Sequence, residues 1–389
     1  MKNRWVNLIA GILMQTVLGG IYAWSTFTPY LVDNYGLRTA QSGFIFGLNI
    51  AVFTIVMIAS GRIFTKKGPR FTATIGAILF MCGYVAASFS SGIYPMLLVS
   101  LSIVMGAGIG FGYVCPLSVG IKWFPDKKGL VTGAAVAGFG GGAVLLSSIA
   151  QHFLTTGMDV LVFFRYYGLV SGGILLLSAS FMANPPSSGN GQVQQQKDAS
   201  IWNLAFAIIT LGMFAGTFAG LLIIGNLTPL LLKSGLTATQ AVTSISIFAV
   251  GNAVGRITWG HISDHLSYKC IPLSLCCFSF FCVFLLLPLP IWAIMLTVGF
   301  LGFGFGANFV IYASTISSIF SIEAFPKLYP ICFLGYGIAG IIGPGLGGYL
   351  ADATGSYNTA LYISIAMLTA VGIISGLCSK TFRAGRNNT

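Results

Sequence analysis

Charged residues make up only 7% of this 389-residue chain. Soluble domains carry about 25%, so a solvated globular surface is excluded. Acidic residues are the scarcest, with seven Asp and Glu in all. Asp33, Asp126, Asp159, Asp198, Asp264, Glu323 and Asp352 all fall in predicted loops or at the ends of apolar runs. That distribution leaves no mid-membrane carboxylate to relay protons or to hold a cationic substrate. The three histidines, His152, His261 and His265, lie in predicted loops and do not form a metal cluster. The eight cysteines lie nearly all in apolar runs, with neither metal nor disulfide-framework spacing, and read as small packing residues. No G-x-x-x-x-G-K-S/T loop is present, so nucleotide hydrolysis is excluded as the energy source. No catalytic set of nucleophile with base stands out. Neither an enzyme nor a cofactor is expected.

What is abundant is hydrocarbon, at 56% of the chain. Apolar runs long enough to span a bilayer, roughly 20 residues each, recur along the whole length. In lipid the backbone must satisfy its own hydrogen bonds, so these runs predict helices. The first run, from Trp5 to Val32, is too long for a cleavable leader and lacks a small-residue cleavage site. Twelve spans are predicted, near 5–32, 41–60, 71–91, 94–121, 129–152, 160–183, 202–230, 242–262, 270–288, 290–320, 327–351 and 358–379. Of the nineteen Lys and Arg, fifteen then fall on the side of the N-terminus. Three, Arg38, Lys233 and Arg165, fall on the other, and Arg256 lies within a span. The bias predicts both termini in the cytoplasm and makes the basic charge topogenic rather than a nucleic-acid surface.

The polar stretch PPSSGNGQVQQQKDAS, residues 185–200, reads as a flexible linker. It divides the chain into an N-terminal six-helix bundle (1–184), a cytoplasmic linker (185–201) and a C-terminal six-helix bundle (202–389). The halves echo each other. The stretch Phe27–Leu31 matches Leu227–Leu231, Gly61-Arg62-Ile63 matches Gly260-His261-Ile262, and the glycine run 106–110 matches 302–306. The run from Gly133 matches the run from Gly335. Four matches in order, about 200 residues apart, mark a parallel internal duplication. The fold class is therefore an all-α membrane protein with two pseudo-symmetric six-helix bundles. Glycines concentrate in spans 4, 5, 10 and 11, where they permit close packing, sliding of helices, or both.

Arg256 interrupts the apolar run FAVGNAVGRITWG. A guanidinium in hydrocarbon costs on the order of 3 kcal/mol on insertion scales. One reading lets it snorkel to the inner end of span 8, about four residues away. The other takes Asn252, one turn earlier on the same face, as part of a polar stripe running toward the membrane centre. With every acid near a span end, the counter-charge of this second reading is the substrate. Arginine suits a carboxylate because its planar fork donates two hydrogen bonds and stays charged.

The loop GRIFTKKGPR (61–70) resembles the major facilitator loop G-x-x-x-D-x-x-G-R/P-R/K, with Thr65 in place of the aspartate. GHISDHLSYK (260–269) is a second copy that keeps Asp264 and loses the later glycine. The stretch Lys122-WFPDKKG-Leu130, followed by TGAAVAGFGGGA, looks like the oxalate:formate antiporter branch, related to the monocarboxylate transporters. GGIYAW, GLLIIGNLTP, GFGFGANF and GYGIAG agree with it. This resemblance implies a major facilitator fold. It also implies that Arg256, in the N-x-x-x-R pattern with Asn252, binds a substrate carboxylate. The branch's oxalate carrier has a lysine in span 11 where this chain has Tyr336. One cation in place of two favours a monoanion over oxalate.

Tyr22, Tyr113, Tyr336, Tyr312, Asn308, Asn226 and Phe139 complete the expected substrate-binding set. For any one tyrosine, packing or an interfacial position is the competing reading. Gly61, Arg62, Gly68, Arg70, Lys122, Asp126, Lys127, Lys128, Gly260 and Asp264 form a gating set at the cytoplasmic mouth, or else a topogenic one. The expected function is secondary transport of a small organic anion, most simply a monocarboxylate, by alternating access. It would run as antiport or as proton-linked symport in a bacterial inner membrane. The partners are then the anion, a proton or counter-anion and the bilayer, and one chain, a monomer, contains a whole pathway. The alternatives are a carrier or exporter for another organic anion or amphiphile, and a membrane sensor or enzyme without transport.

Overall fold

The computed structural model describes residues 3–186 and 203–378. Most of the expected linker lies outside the described residues, as do Lys2, Lys197, Lys380, Arg383, Arg386 and Asp198. The described chain is helical. It runs α1 (Arg4–Leu18), a 3-10 segment (Gly19–Thr26), α2 (Thr28–Tyr35), α3 (Thr39–Ser88), α4 (Tyr94–Leu97), a π-helical segment (Leu98–Val104) and α5 (Met105–Trp123). After a 3-10 turn (Pro125–Lys127) come α6 (Lys128–Thr155), α7 (Val160–Phe181), α8 (Leu204–Gly225), α9 (Leu227–Lys233) and α10 (Ala238–Leu266). A second 3-10 turn (Ser267–Lys269) leads to α11 (Cys270–Phe284), α12 (Ile291–Ala307), α13 (Ile311–Ile319), α14 (Phe325–Thr354) and α15 (Asn358–Leu377).

Among the described residues, ten helical stretches are long and apolar enough to cross a membrane. Two of them, Gln41–Ser88 with 48 residues and Thr239–Phe284 with 46, are each about twice a span. Twelve crossings result. The expected loops at 61–70 and 260–269 are a difference from the sequence reading, because both are mostly helix. α3 continues through Lys67 and turns only at Gly68, whose φ of 84° suits a residue without a Cβ. Pro69 then restarts the helix at a position where its missing N–H costs nothing. In the second copy α10 runs to Leu266 before Ser267 (φ 52°) breaks it.

Helix ends carry the expected chemistry. Asn3, Asp159 and Asn203 accept hydrogen bonds from first-turn amides, and Thr237 and Gln240 form a reciprocal capping box. Left-handed Gly36 and Gly355 close α2 and α14.

The chain forms two compact units, Met1–Pro125 with Ala135–Asn190, and Asp126–Ala134 with Gly191–Thr389. In the first, α3 packs on α5 and α7, and α1 packs on both of these. In the second, α10 packs on α12, α8 on α14 and α15, and α11 on α15. The sequence repeat reappears as a packing repeat. A Cβ on Gly106 would meet the carbonyl of Asn49, and one on Gly110 that of Phe53. In the second unit Gly302 abuts the carbonyl of Phe248 and Gly306 that of Asn252. The middle glycines match too, Gly108 against Phe80 and Gly304 against Phe278. The repeat also breaks its helices alike. The 3-10 segment precedes α2 in one copy, and Asn226 precedes α9 in the other.

Two outcomes are expected. A Cβ on Gly142 would run into the backbone oxygen of Thr16, whereas one on its neighbour Gly141 meets nothing within 4 Å. Gly142→Ala should therefore lower the thermal midpoint in detergent, at a cost of about 1–3 kcal/mol, and Gly141→Ala should not. In the loops, the Tyr35 hydroxyl donates to Asp159 Oδ2 at 2.6 Å. Burial and then this aspartate push its ionisation up to about 12. A group with a raised pKa contributes stability below its unfolded value, near 10, and loses it as pH rises through the folded one. Thermal melts should fall more steeply between pH 10 and 12 in the wild type than in Tyr35→Phe.

Candidate functional site

α10 carries Asn252 and Arg256 one turn apart. Glycines at 251 and 255 bring its backbone against Gly299 and Phe303 of α12, so the Arg256 side chain is enclosed, with only 1% exposed. Its Nε donates to Asn252 Oδ1 at 3.0 Å. The side chain therefore points back along α10, away from the Gly260 end. Snorkelling would take it the other way. The guanidinium carbon lies 4.6 Å from the centroid of Phe309. A buried ring face attracts a cation by about 2 kcal/mol or more when both are desolvated.

Phe309 is a partner the sequence reading missed. It occupies the break between α12 and α13, where the helix yields to a turn at Asn308–Val310. Its carbonyl accepts from the Tyr329 hydroxyl at 3.4 Å. Its ring meets Tyr336 edge-on at 5.4 Å, and Phe333 packs at a tilt against both. Arg256, Asn252 and Tyr336 are thus brought into one cluster through Phe309.

Three other expected residues in this unit face elsewhere. Asn308 presses on Gly216 of α8 and donates to the carbonyls of Gly304 and Phe305. Tyr312 lies with its hydroxyl against Gly212, buried and without a hydrogen-bond partner among the described residues. Asn226 links α8 to α14 by donating to Leu222 O at 2.9 Å and Pro344 O at 3.1 Å.

In the first unit the expected aromatics do meet. Phe139 lies 5.4 Å from Tyr22 and 5.2 Å from Tyr113, both edge-on. Phe53, again unforeseen, packs 5.2 Å from Tyr113. The result is an apolar wall with two phenol groups.

The expected gating residues separate into distinct arrangements. Asp264 accepts from the amides of Gly129 at 2.6 Å and Leu130 at 2.9 Å, at the start of α6. A carboxylate is favoured there by the free N–H groups and the helix dipole. Lys128 Nζ donates to Ser317 O at 3.1 Å, and Gly129 crosses Gly260 backbone to backbone. Asp126, Lys127 and Arg62 are exposed, and Gly61 is buried in α3. Lys122 reaches Asn184 at 3.4 Å. Gly68 and Arg70 border a separate cavity beside Asn184.

A double-mutant cycle checks the cluster independently of any function. Phe309→Leu and Arg256→Met should each lower the thermal midpoint, with a coupling of about 1–2 kcal/mol between them. Phe309→Tyr, which keeps the ring face, should retain most of that coupling.

Residues 8–322 and 210–382 match the family model of the Major Facilitator Superfamily. Among similar proteins, the oxalate:formate antiporter of Oxalobacter formigenes is 28% identical over 378 residues, covering 93% of this chain and 88% of that one. Monocarboxylate transporter 13 of Bos taurus is 24% identical over 384 residues, covering 94% and 87%. The apicoplast pyruvate carrier 1 of Toxoplasma gondii is 23% identical over 494 residues, covering 97% and 87%. The fold is that of the E. coli fucose:proton symporter, with a TM-score of 0.70 at 15% identity over 95% of this chain and 98% of that one. Twelve apolar crossings in a duplicated helical scaffold and a match over nearly the whole length establish that the chain is an integral membrane transporter of the Major Facilitator Superfamily.

Proposed function

We propose that this transporter carries a small monocarboxylate by alternating access, with Arg256 as the anion-binding residue. The observation that carries the reading is the enclosed Arg256 guanidinium, oriented by Asn252 at 3.0 Å and backed by the Phe309 ring at 4.6 Å. Nε is engaged by Asn252, which fixes the plane of the fork. A carboxylate approaching the guanidinium would gain charge-assisted hydrogen bonds and place an anion beside a cation that is costly in an apolar interior. Neutralisation lowers the cost of closing a dry cavity around the anion. Tyr336, where the resembling oxalate carrier has lysine, leaves one cation at the centre and favours a monoanion.

The names of three relatives support the substrate class, since they refer to oxalate and formate, to monocarboxylates and to pyruvate. Tyr22, Tyr113 and Phe139 form an aromatic surface within the first unit whose chemistry suits an organic anion. Tyr312, against Gly212, has a hydroxyl without a hydrogen-bond partner among the described residues. Asn308 and Asn226 contribute through the helix breaks they sit on. The Asp264 contact with Gly129 and Leu130 is a charged latch at the start of α6 within the second unit, the proposed gating element. The latch and the basic loops lie on the cytoplasmic side in the orientation that the Lys and Arg count favours, with both termini inside. A bacterial inner membrane is the setting proposed. Exchange and proton-linked symport are both compatible with the site, because a proton can enter on the acid itself.

Uptake by wild type, Arg256→Lys and Arg256→Gln in liposomes tests the reading, with labelled formate, lactate, pyruvate and oxalate. Wild type should move monoanions and not oxalate. Both variants should lose at least tenfold in uptake while keeping a wild-type elution profile and a cooperative melt, with the thermal midpoint of Arg256→Gln lowered no further than that of Arg256→Met. An unlabelled anion trapped inside should speed uptake if the mode is exchange, and an inward proton gradient should do so if it is symport. Normal transport by Arg256→Gln would refute the role of the arginine. It would favour a carrier of another organic anion or amphiphile.

A further inference from the structure

A cavity of about 560 Å³ lies in the first unit between residues 67–70 and 182–185, remote in sequence from the Arg256 cluster. One wall is the bend of α3, where Lys67 and Arg70 flank Gly68 and Pro69. The bend exists because Gly68 leaves the helix at φ 84° and ψ 173°. It sets the two cations on either side of the turn instead of on one continuous helical surface. The other wall is the extended chain that follows α7. Three side chains hold it in place. Asn7 accepts from the Ala183 amide at 2.8 Å. The Trp123 indole donates to Ala183 O at 2.7 Å, and Lys122 donates to Asn184 Oδ1 at 3.4 Å. The cavity is therefore preformed. Among the described residues its lining contains two cations and an amide, and no acid.

A second observation says what fills it. Next to Arg70, α3 presents Phe71 at 50% and Ile78 at 44% exposure. Next to Met182, α7 presents Leu177 at 59% and Phe181 at 45%. α3 and α7 pack against each other, so an exposed apolar strip runs from the rim of a basic cavity along two adjacent membrane helices. A free phosphate would use only the cavity, and a neutral lipid tail only the strip.

We propose that this cavity binds the phosphate headgroup of an anionic phospholipid, with Lys67 and Arg70 on the phosphate and the acyl chains along Phe71, Ile78, Leu177 and Phe181. Basic pockets between membrane helices take such headgroups on the cytoplasmic side, which is where the proposed orientation puts residues 67–70. The site is independent of the identity of the transported anion.

The test is native mass spectrometry of the full-length protein released from nanodiscs of phosphatidylcholine with phosphatidylglycerol. Wild type should retain phosphatidylglycerol in preference to phosphatidylcholine. Lys67→Gln/Arg70→Gln should retain it roughly tenfold to thirtyfold more weakly, at the usual worth of a surface cation toward anionic lipid. Lys269→Gln/Lys327→Gln removes the same charge elsewhere on the surface and should behave as wild type. Equal retention by both double variants would overturn the site. So would equal retention of the two lipids by wild type. Displacement of phosphatidylglycerol by millimolar inorganic phosphate would show a free-anion site and overturn the lipid assignment.

Discussion

Lipid offers one helix almost nothing that another helix does not, so the helices of this protein must hold together by contact at close range. The close approach of backbones at glycine is the constraint on which everything else rests. Gly106 and Gly110 seat α5 on α3, and Gly302 and Gly306 seat α12 on α10. Where the backbones touch, there is no room for a side chain to swing, and neighbouring side chains are held at fixed angles. Arg256 is held in this way. Gly255 seats α10 on Phe303 and Gly306 abuts the Arg256 backbone amide, and the guanidinium meets Asn252 and Phe309.

The scaffold is duplicated, but its contents are not. The position equivalent to Asn252 in the first copy is Phe53, and that of Phe309 is Tyr113. These two rings pack together at 5.2 Å. Arg256 corresponds to Met57, which is fully buried. The same glycine framework thus encloses an aromatic pair in one unit and a cation on an aromatic face in the other. The backbone geometry specifies a cavity wall, and the side chains alone decide whether the wall is apolar or charged.

Much of this was legible in the amino-acid sequence. Span count, the duplication and the Asn252–Arg256 pair all rest on local periodicity or on a single charge against hydrocarbon, and these signals survive without knowledge of neighbours. Phe309 was not legible, because one phenylalanine among 31 carries no mark of the cation it will face. Asn308 and Tyr312 lie four residues apart in span 10, one turn of an unbroken helix. The break after Ala307 turns both toward the glycines of α8, and nothing in the residue types announces that turn. The loops at 61–70 and 260–269 looked polar enough to be irregular, yet polar residues at the end of a span cost a helix little. Only Gly68 and Ser267 mark the real corners.

A permanent charge held within the apolar body of a membrane protein is also a charge within the transmembrane electric field. Moving one elementary charge through that field is worth about 2.3 kcal/mol per 100 mV. Arg256 cannot shed its proton at any physiological pH, and in the proposed function a bound monoanion offsets that charge. Under the proposed function, voltage acts on the vacant carrier and leaves the loaded one nearly indifferent. The return of the empty site, rather than delivery of the cargo, is then the step that the cell's membrane potential hastens or holds back.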